Sequence, residues 1–279
     1  MYCIKIVNSL VNYRSLAPFT VSNIGRFLFT RDSLGVTTYK ANRQMGLENS
    51  QNTEKFKIEF EKDIVRSDPS YNIVPDLKRF LHLMDNSYDD MNLLRKALIL
   101  YDVQWAYHKT LGYNIDKEFY TVGPTVMRAF YHFGLLDQAI KFFEDPQLGP
   151  LFKQVRTFEI LLDWLFDKKR YDRLLQLNES MMQWIQDEHI YSSAAMNSIL
   201  MATYLRMGTT ESYQLAFKLY QDFKENNLLG IQYRKTIALV AEMKRRVKQP
   251  DECLNILAGH DDTRSEEIRF VKILAYSDQ

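Results

Sequence analysis

The sequence has few of the residues that build covalent or metal frameworks. It contains only two cysteines, Cys3 and Cys253, among 279 residues. Two cysteines can form neither a disulfide framework nor a cysteine-based zinc site. The five histidines never pair at i,i+3 or i,i+4 spacing, and none lies beside a cysteine. Because helical metal sites need such spacing, we predict no metal and no cofactor.

Long apolar runs and catalytic motifs are also missing. The run ILLDWLF at 160–166 is short, is interrupted by Asp163, and falls well below the roughly 18–20 residues of a membrane-spanning helix. The sequence has no glycine-rich phosphate loop, no nucleophile elbow and no HExxH motif. Hydrophobic residues nevertheless make up 46% of the chain, enough for a sizeable core. We predict a folded protein that is not an enzyme, has no catalytic residue and has no membrane span.

The net charge of +1 hides an uneven distribution. Residues 1–47 carry six basic residues against one acid, Asp32, hence +5, which leaves −4 for the rest of the chain. An arginine-bearing, hydroxyl-rich and acid-poor N-terminus is typical of an organelle transit peptide. A secretory signal is an alternative, but Asn8, Asn12 and Arg14 interrupt its apolar core. A disordered basic tail is the other alternative.

Two neighbouring segments repeat the same pattern 35 residues apart. Ala139 lies five residues after Gly134, which ends one apolar run, and Leu174 lies five residues after Lys169, which ends another. A fixed period of about 20–50 residues is typical of solenoid proteins, because one helix pair cannot bury its apolar face alone. The sequence therefore predicts stacked helix pairs.

Helical periodicity begins at about Glu54, and strand patterns are nearly absent. From Pro75 onwards, turn signals divide the chain into five helix pairs. We therefore predict an all-α solenoid of stacked helix-turn-helix repeats over residues 54–279. Equivalent buried positions in the successive second helices are predicted at Ala97, Ala139, Leu174, Ala216 and Cys253.

The last predicted helix, at 267–276, has no following partner helix in the sequence. Its apolar residues Ile268, Val271 and Leu274 fall on one face, and we expect this face to be exposed. Solenoids normally shield such a face with a partner or a polar cap. We therefore expect the repeat domain to be truncated at its C-terminus.

Basic residues are the remaining candidates for ligand contact. Clusters occur at 168–173 and 244–248, and Arg128, Arg156, Arg234 and Lys235 are spread over predicted first helices. One interpretation is that these charges only solvate a helical surface. The other is that they contact phosphates, which requires basic side chains along one groove rather than a high net charge.

The segment GLLDQAIKFF at 134–143, preceded by an aromatic-rich helix, resembles the pentatricopeptide repeat. The period of 35 residues and the lack of the Trp-Leu-Gly-Tyr pattern of tetratricopeptide repeats favour the pentatricopeptide family over the tetratricopeptide family. The segment TFEILLDWLFDKKRYDRLLQL at 157–177 continues the resemblance. The resemblance implies a right-handed α-solenoid in the mitochondrial matrix, with 1–47 a basic N-terminal region that includes a mitochondrial transit segment.

The resemblance also implies single-stranded mitochondrial RNA as the partner. In this fold class one helical repeat reads about one base, and the principal reading positions fall here on Pro124, Glu159 and Asn197. Of these only Asn197 can both donate and accept hydrogen bonds, so the family's recognition code is degraded. The candidate RNA-binding residues are Asn197, Arg128, Arg156, Arg234 and Lys235.

Two functions from different classes follow from this reasoning. The first is a non-catalytic RNA-binding protein that acts in processing or maturation of mitochondrial transcripts, with RNA-processing enzymes or ribosomal proteins as further partners. The alternative is a protein-interaction scaffold in a mitochondrial, for example ribosome-associated, complex. The charge of −4 outside 1–47 favours the scaffold. Alignment of the candidate basic residues along one groove would favour RNA.

Overall fold

The computed structural model describes residues 33–50, 52–66, 71–110, 119–187, 193–225, 233–260 and 265–279. Within these ranges the regular secondary structure is helical and contains no strand, so the all-α prediction is confirmed there. None of the helices described is long and apolar enough to cross a membrane. Residues 1–32, on which the predicted transit segment falls, lie outside the described residues.

The chain forms two compact units. Among the described residues, the first unit ends at residue 184 and the second begins at residue 185. Numbered along the described residues, the helices that begin in the first unit are α1 (Val36–Asn49), α2 (Thr53–Arg66), α3 (Val74–Leu83), α4 (Tyr88–Thr110), α5 (Phe119–Phe133), α6 (Leu136–Glu144), α7 (Gly149–Phe152), α8 (Val155–Asp167) and α9 (Tyr171–Asp187). Those of the second are α10 (Ala194–Met207), α11 (Thr210–Glu225), α12 (Arg234–Arg246), α13 (Pro250–Ala258) and α14 (Glu266–Ser277).

Four helix pairs in the described residues share one connecting turn. In α5/α6, α8/α9, α10/α11 and α12/α13, the second helix begins two residues after a residue in the left-handed conformation. Such a residue lets the chain reverse while nearby amides bond the last helical carbonyls; the Arg170 N–H, for example, donates to the Leu165 oxygen at 2.9 Å. The left-handed residues are Gly134, Lys169, Gly208 and Lys248.

This turn corrects the predicted alignment of the repeats. Ala139, Leu174 and Cys253 each lie three residues after the start of their helix, but in α11 that position is Tyr213, not Ala216. The intervals between equivalent positions are therefore 35, 39 and 40 residues rather than 35, 42 and 37. All five predicted positions are nonetheless fully buried, at 0% exposure. The prediction of burial is confirmed, and the predicted register of α11 is wrong by about one helical turn.

First helices pack on the first helices of the neighbouring pairs. In the first unit α5 contacts both α3 and α8, and in the second unit α12 contacts both α10 and α14. In three of the pairs that share this turn the first helix also contacts its second helix, namely α5 with α6, α10 with α11 and α12 with α13. Contacts between neighbouring pairs are expected of stacked repeats. The right-handed solenoid itself stays a prediction.

Helix α1 precedes the point at which helical periodicity begins in the sequence. It packs on α3 and α5 of the first unit. Leu34, Val36 and Tyr39 are only 1%, 0% and 3% exposed. At about 25 cal/mol per Å² of apolar surface, burying these three side chains stabilises the docked helix by several kcal/mol. A part of the basic N-terminal region thus packs against the first unit.

The C-terminal helix α14 differs from the expectation of an exposed apolar face. Ile268 and Val271 are 1% and 0% exposed, because α14 packs on both α12 and α13. Leu274 is half-buried. The predicted exposure of Ile268 and Val271 is therefore wrong. The apolar residues on the surface of this helix are Ile273 and Tyr276.

Candidate nucleic-acid interface

The five candidate residues fall into two groups. Arg128 on α5 and Arg156 on α8 belong to the first unit, and these two helices contact each other. Asn197 on α10 and Arg234 and Lys235 at the start of α12 belong to the second unit, where α10 contacts α12. The structure thus brings the candidates together within each unit, on the first helices.

In the second unit a hydrogen bond shows how the two helices align. The hydroxyls of Ser198 and Thr236 lie 3.0 Å apart, and both side chains are buried. These residues directly follow Asn197 and Lys235, so the latter two occupy one layer of the packed helices. Lys235 is half-buried, whereas Asn197 is only 4% exposed.

In the first unit the two candidate arginines bind the main chain that leads into α1. Arg128 donates from Nε to the Leu34 carbonyl oxygen at 2.8 Å. The Arg156 guanidinium donates to the Ser33 carbonyl oxygen. The residues that lead into α1 are therefore bonded to the two arginines that the sequence predicts as phosphate contacts. The N–H groups that make these two bonds have their acceptors within the chain.

The contact with Arg128 requires a glycine at the start of α1. Gly35 has φ +74°, in the left-handed region. A β-carbon added there would lie 2.8 Å from Nε of Arg128, closer than carbon and nitrogen approach without displacement. Both the backbone conformation and the approach of the guanidinium thus exclude a larger side chain without strain.

Further along α1, two side chains bond the C-terminal end of α3. Tyr39 donates its hydroxyl to the Leu81 oxygen at 2.6 Å. Arg43 donates from Nη1 to the oxygens of His82 and Met84, at 2.9 and 2.5 Å. The last carbonyls of a helix have no partner within that helix. The side chains of Tyr39 and Arg43 thus cap the C-terminal end of α3. Burial raises the pKa of Tyr39 to about 12, which keeps this donor protonated.

Several cationic side chains lie near these contacts. Burial, and then the neighbouring Arg156, lowers the pKa of Arg128. Burial, and then Arg43, lowers the pKa of both His82 and His132. Among the described residues Arg128 forms no ion pair, and Arg156 pairs with Glu159 at 2.7 Å between Nη1 and Oε2. Arg43 and Arg156 thus lie close enough to these groups to influence their pKa values.

The three positions implied as base readers are all buried. Pro124 is buried on α5, Glu159 is 7% exposed on α8, and Asn197 is 4% exposed on α10. Glu159 is also bound by Arg156. A base could reach the Asn197 amide only if the surrounding packing opened. The family pattern predicts where along each first helix a base-reading residue falls. It does not predict whether that residue lies on a buried or an exposed face in this chain.

The basic cluster at 244–248 is balanced by acids of the second unit. Glu242, at 0% exposure, accepts from Nε of Arg245 at 2.7 Å and from Nε of Arg246 at 2.9 Å. Arg245 also bonds Asp278 at 2.5 Å, and Lys244 pairs with Glu252 at 2.6 Å. This cluster is structural. The sequence feature that indicates this structural role is Glu242, one helical turn before the arginines.

Acids of α6 balance part of the cluster at 168–173. Arg170 pairs with Asp137 at 2.5 Å, and Arg173 pairs with Glu144. Lys168 is exposed in the turn. These pairs join α6 to α9 and to the residue directly before α9. The interpretation as surface charge therefore fits this cluster better than phosphate contact.

No metal centre accompanies these features in the ranges that the structure covers, where no group of three His, Cys, Asp or Glu side chains could hold an ion.

Three curated proteins are similar to part of this chain. The sequence is 28% identical over 147 residues to pentatricopeptide repeat-containing protein 2, mitochondrial, of Mus musculus, and 25% identical over 147 residues to the protein of that name from Danio rerio. For the Xenopus laevis protein of that name the identity is 25% over 123 residues. No family model matches the sequence, and no solved structure gives a significant match.

The similarity covers only part of each protein. The match to the mouse protein includes 53% of this chain and 35% of the relative, and that to the frog protein includes 43% and 30%. The matched segment thus spans about a third of the length of the curated relatives. The similarity supports a relationship to pentatricopeptide repeat proteins over about half of the chain.

Proposed function

We propose that this protein is a non-catalytic, RNA-binding repeat protein of the mitochondrion that acts in processing or maturation of transcripts. The observation that carries the proposal is the similarity to three vertebrate mitochondrial pentatricopeptide repeat proteins. The four helix pairs with one shared turn support it, because repeats of this kind present one first helix after another to a single strand. We propose a right-handed solenoid arrangement of these repeats.

The proposed contacts are mainly to phosphate rather than to bases. Arg234 and Lys235 lie side by side in sequence at the start of α12, beside the layer that contains Asn197. Arg128 and Arg156 add positive charge in the first unit. Because Pro124, Glu159 and Asn197 are buried, we expect weak discrimination between RNA sequences. Binding of this kind falls with salt, by about 0.7 in the logarithmic slope per neutralised phosphate of a single strand.

The dependence of RNA affinity on salt concentration tests the proposed phosphate contacts. Binding of a fluorescent 20-nucleotide single-stranded RNA to the full chain is measured by anisotropy from about 50 to 200 mM salt. We expect the double variant Arg234→Gln/Lys235→Gln to lower the slope by about 1.4, at two contacts of 0.7 each. The matched control, Lys55→Gln/Lys62→Gln, removes two charges from the exposed face of α2 and should leave the slope unchanged. Lack of RNA binding by the folded protein at 50 mM salt would contradict the proposal.

The mitochondrial location rests on the similarity to relatives named as mitochondrial proteins and on the basic N-terminus. We propose a transit segment that ends before Ser33, because the main chain from Ser33 onwards is bonded to the first unit. Deleting residues 1–24 should abolish import and leave thermal unfolding unchanged. Efficient import of the shortened protein would contradict the transit segment.

One observation favours the alternative function, a protein-interaction scaffold in a mitochondrial complex. The first-helix face of the first unit already binds a peptide, the main chain at Ser33 and Leu34, through Arg128 and Arg156. A face that binds main-chain carbonyls within its own chain has the chemistry to bind them in another protein. Absence of RNA binding together with recovery of a stoichiometric protein partner would favour the scaffold.

A further inference from the structure

We propose that residues 33–49, which comprise α1 and the three residues before it, form a strap that closes the first-helix face of the first unit against RNA. The proposal rests on the proposed function, because it states how RNA reaches this face. Helix α1 packs on α3 and α5, and the main chain of Ser33 is bonded to Arg156 of α8. The strap therefore contacts three successive first helices.

The contacts of α5 show on which of its sides the strap lies. Towards the strap, Nε of Arg128 donates to a main-chain oxygen at 2.8 Å, and the ring of His132 lies 5.9 Å from that of Tyr39. The ring of Phe130 instead meets that of Phe142 on α6 edge-on, at 5.1 Å. At 3.6 residues per turn, Phe130 lies about 200° around α5 from Arg128. The strap thus lies on the side of α5 opposite its second helix.

The strap occupies donors that an RNA strand would use. A strand that is read by successive helical repeats follows their first helices, and the side opposite the second helices is the one that the strap crosses. Arg128 and Arg156 donate there to the carbonyl oxygens of Leu34 and Ser33. A phosphate oxygen accepts from a guanidinium in the same way. The N–H groups that make these bonds cannot serve both acceptors, so the strap and RNA compete for them.

The strap is held in a way that allows it to detach. Val36 and Tyr39 are the buried residues of α1, whereas Met45 and Leu47 in its second half are 52% and 44% exposed. Tyr39 and Arg43 bond neutral main-chain oxygens at the end of α3. Helices α3 and α5 also contact each other directly. Lifting α1 therefore leaves the packing of the first helices in place.

Gly46 and His82 offer a way to lock the strap. A β-carbon at position 46 would lie 3.5 Å from the β-carbon of His82, a separation that a disulfide spans, since its two β-carbons lie about 3.5–4.5 Å apart. The variant Gly46→Cys/His82→Cys should therefore link α1 to α3. Cys3→Ser is added, which leaves the buried Cys253 as the one native cysteine. The main-chain oxygen that accepts from Arg43 is kept.

The test compares the oxidised and reduced forms of this variant of the full chain. Binding of a fluorescent 20-nucleotide single-stranded RNA is measured by anisotropy, and mass spectrometry confirms the disulfide. We expect the reduced form to bind about tenfold or more tightly, because charge-assisted contacts from Arg128 and Arg156 become available. Its logarithmic salt slope should be steeper by about 1.4, at 0.7 for each of the two phosphates. The wild-type chain with and without reductant is the control and should not change.

A second variant tests the strap without a disulfide. Tyr39→Phe removes the 2.6 Å bond to the Leu81 oxygen and leaves the charge unchanged. If RNA binds only the open form, its apparent affinity rises in proportion to the open fraction, and loss of one hydrogen bond should raise it about fivefold. Tyr107→Phe, at a 52% exposed tyrosine of α4, is the matched control and should have no effect. Added RNA should also speed amide hydrogen exchange at residues 36–49 of the wild-type chain.

The outcomes separate the strap from the proposed function. RNA binding with equal affinity and equal salt slope in the oxidised and reduced forms would overturn the strap and leave the function. Slower exchange at residues 36–49 on addition of RNA would likewise overturn the strap, because RNA would then bind with α1 in place. Absence of RNA binding by the wild-type chain and by every variant would remove the function and the strap together.

Discussion

Two arginine sites, one in each unit, are bonded to groups of different charge. In the first unit, Arg128 donates to the neutral carbonyl of Leu34 at 2.8 Å. In the second unit, Arg245 and Arg246 donate to the carboxylate of Glu242 at 2.7 and 2.9 Å. A carbonyl oxygen satisfies the N–H donor but leaves the positive charge of the guanidinium uncompensated. A carboxylate satisfies the donor and also neutralises the charge. The comparison teaches that a basic residue in the sequence keeps its positive charge uncompensated only where no neighbouring acid pairs with it.

The largest effect is expected where the carboxylate is removed. Glu242→Ala leaves the guanidiniums of Arg245 and Arg246, whose side chains are only 18% and 27% exposed, without their buried partner. Breaking such a pair costs about 3–5 kcal/mol. Chemical unfolding of the second unit measures this loss. Glu252→Gln, which removes a 53% exposed acid, should cost less than about 1 kcal/mol. Equal stability of the two variants would contradict the comparison.

A half-buried acid of the first unit, Asp163, is expected to lower stability when it is ionised. Burial, and then the neighbouring Asp167, raises the pKa of Asp163 to about 7. The folded state therefore binds the proton of Asp163 more tightly than the unfolded state does. This difference adds to the free energy of unfolding in full below about pH 4, and the added stability is lost as the pH rises towards 7. The change amounts to a few kcal/mol at most.

The variant Asp163→Asn tests this effect. We expect it to flatten the dependence of unfolding free energy on pH between about 4 and 7 and to raise stability at pH 8. Asp167→Asn is the control, because it removes the neighbouring charge while the burial of Asp163 stays; it should reduce the slope only in part. An unchanged slope in Asp163→Asn would show that the carboxylate ionises normally.

Gly35, directly before α1, and Gly46, within α1, sharpen the description of the first unit. Gly35→Ala would place a β-carbon 2.8 Å from Nε of Arg128 at φ +74° and should destabilise the docked helix by about 1–3 kcal/mol. Gly46 is the matched control within α1, since its nearest neighbour would be the β-carbon of His82 at 3.5 Å. Gly46→Ala should instead stabilise the helix by about 0.5–1 kcal/mol. Thermal unfolding compares the two, and opposite signs are expected.

The smallest effect is expected at the shared turn. Lys169 adopts φ 57°, a conformation that costs a side-chain-bearing residue about 1 kcal/mol. Lys169→Gly should therefore stabilise the first unit by up to about that amount. Lys168, with φ −80°, is the control, and Lys168→Gly should give no gain. A gain of the same size at both positions would indicate an effect of charge rather than of backbone conformation.

The helix pairs could be predicted from the sequence because their apolar residues recur at helical spacing. Ala139, Leu174 and Cys253 are equivalent in the structure as predicted. The assignment of Ala216 to that position was wrong because apolar residues recur every turn, and only the left-handed Gly208 identifies Tyr213 as the equivalent. Apolar periodicity predicts the buried face but not the register.

Helix α1 and the faces of the candidate residues could not be predicted in this way. The buried residues Leu34, Val36 and Tyr39 lie at one end of α1 rather than along a stripe. The helix is held in addition by bonds from Arg43 and Arg128 to main-chain oxygens. Every residue has a main-chain oxygen, so a sequence contains no signal for such bonds. The positions of Ile268 and Asn197 likewise depend on which neighbouring helix covers them.

The central claim is that the protein binds RNA in mitochondria, and crosslinking in the organelle tests it most directly. The tagged full chain and the Arg234→Gln/Lys235→Gln variant would be crosslinked by ultraviolet light in intact mitochondria, and the bound RNA sequenced. We predict mitochondrial transcripts enriched with the wild-type chain, with broad rather than single-site coverage, and a uniform reduction in the variant. Recovery of no RNA above the level of an untagged control, from a protein present and folded in the organelle, would contradict the account.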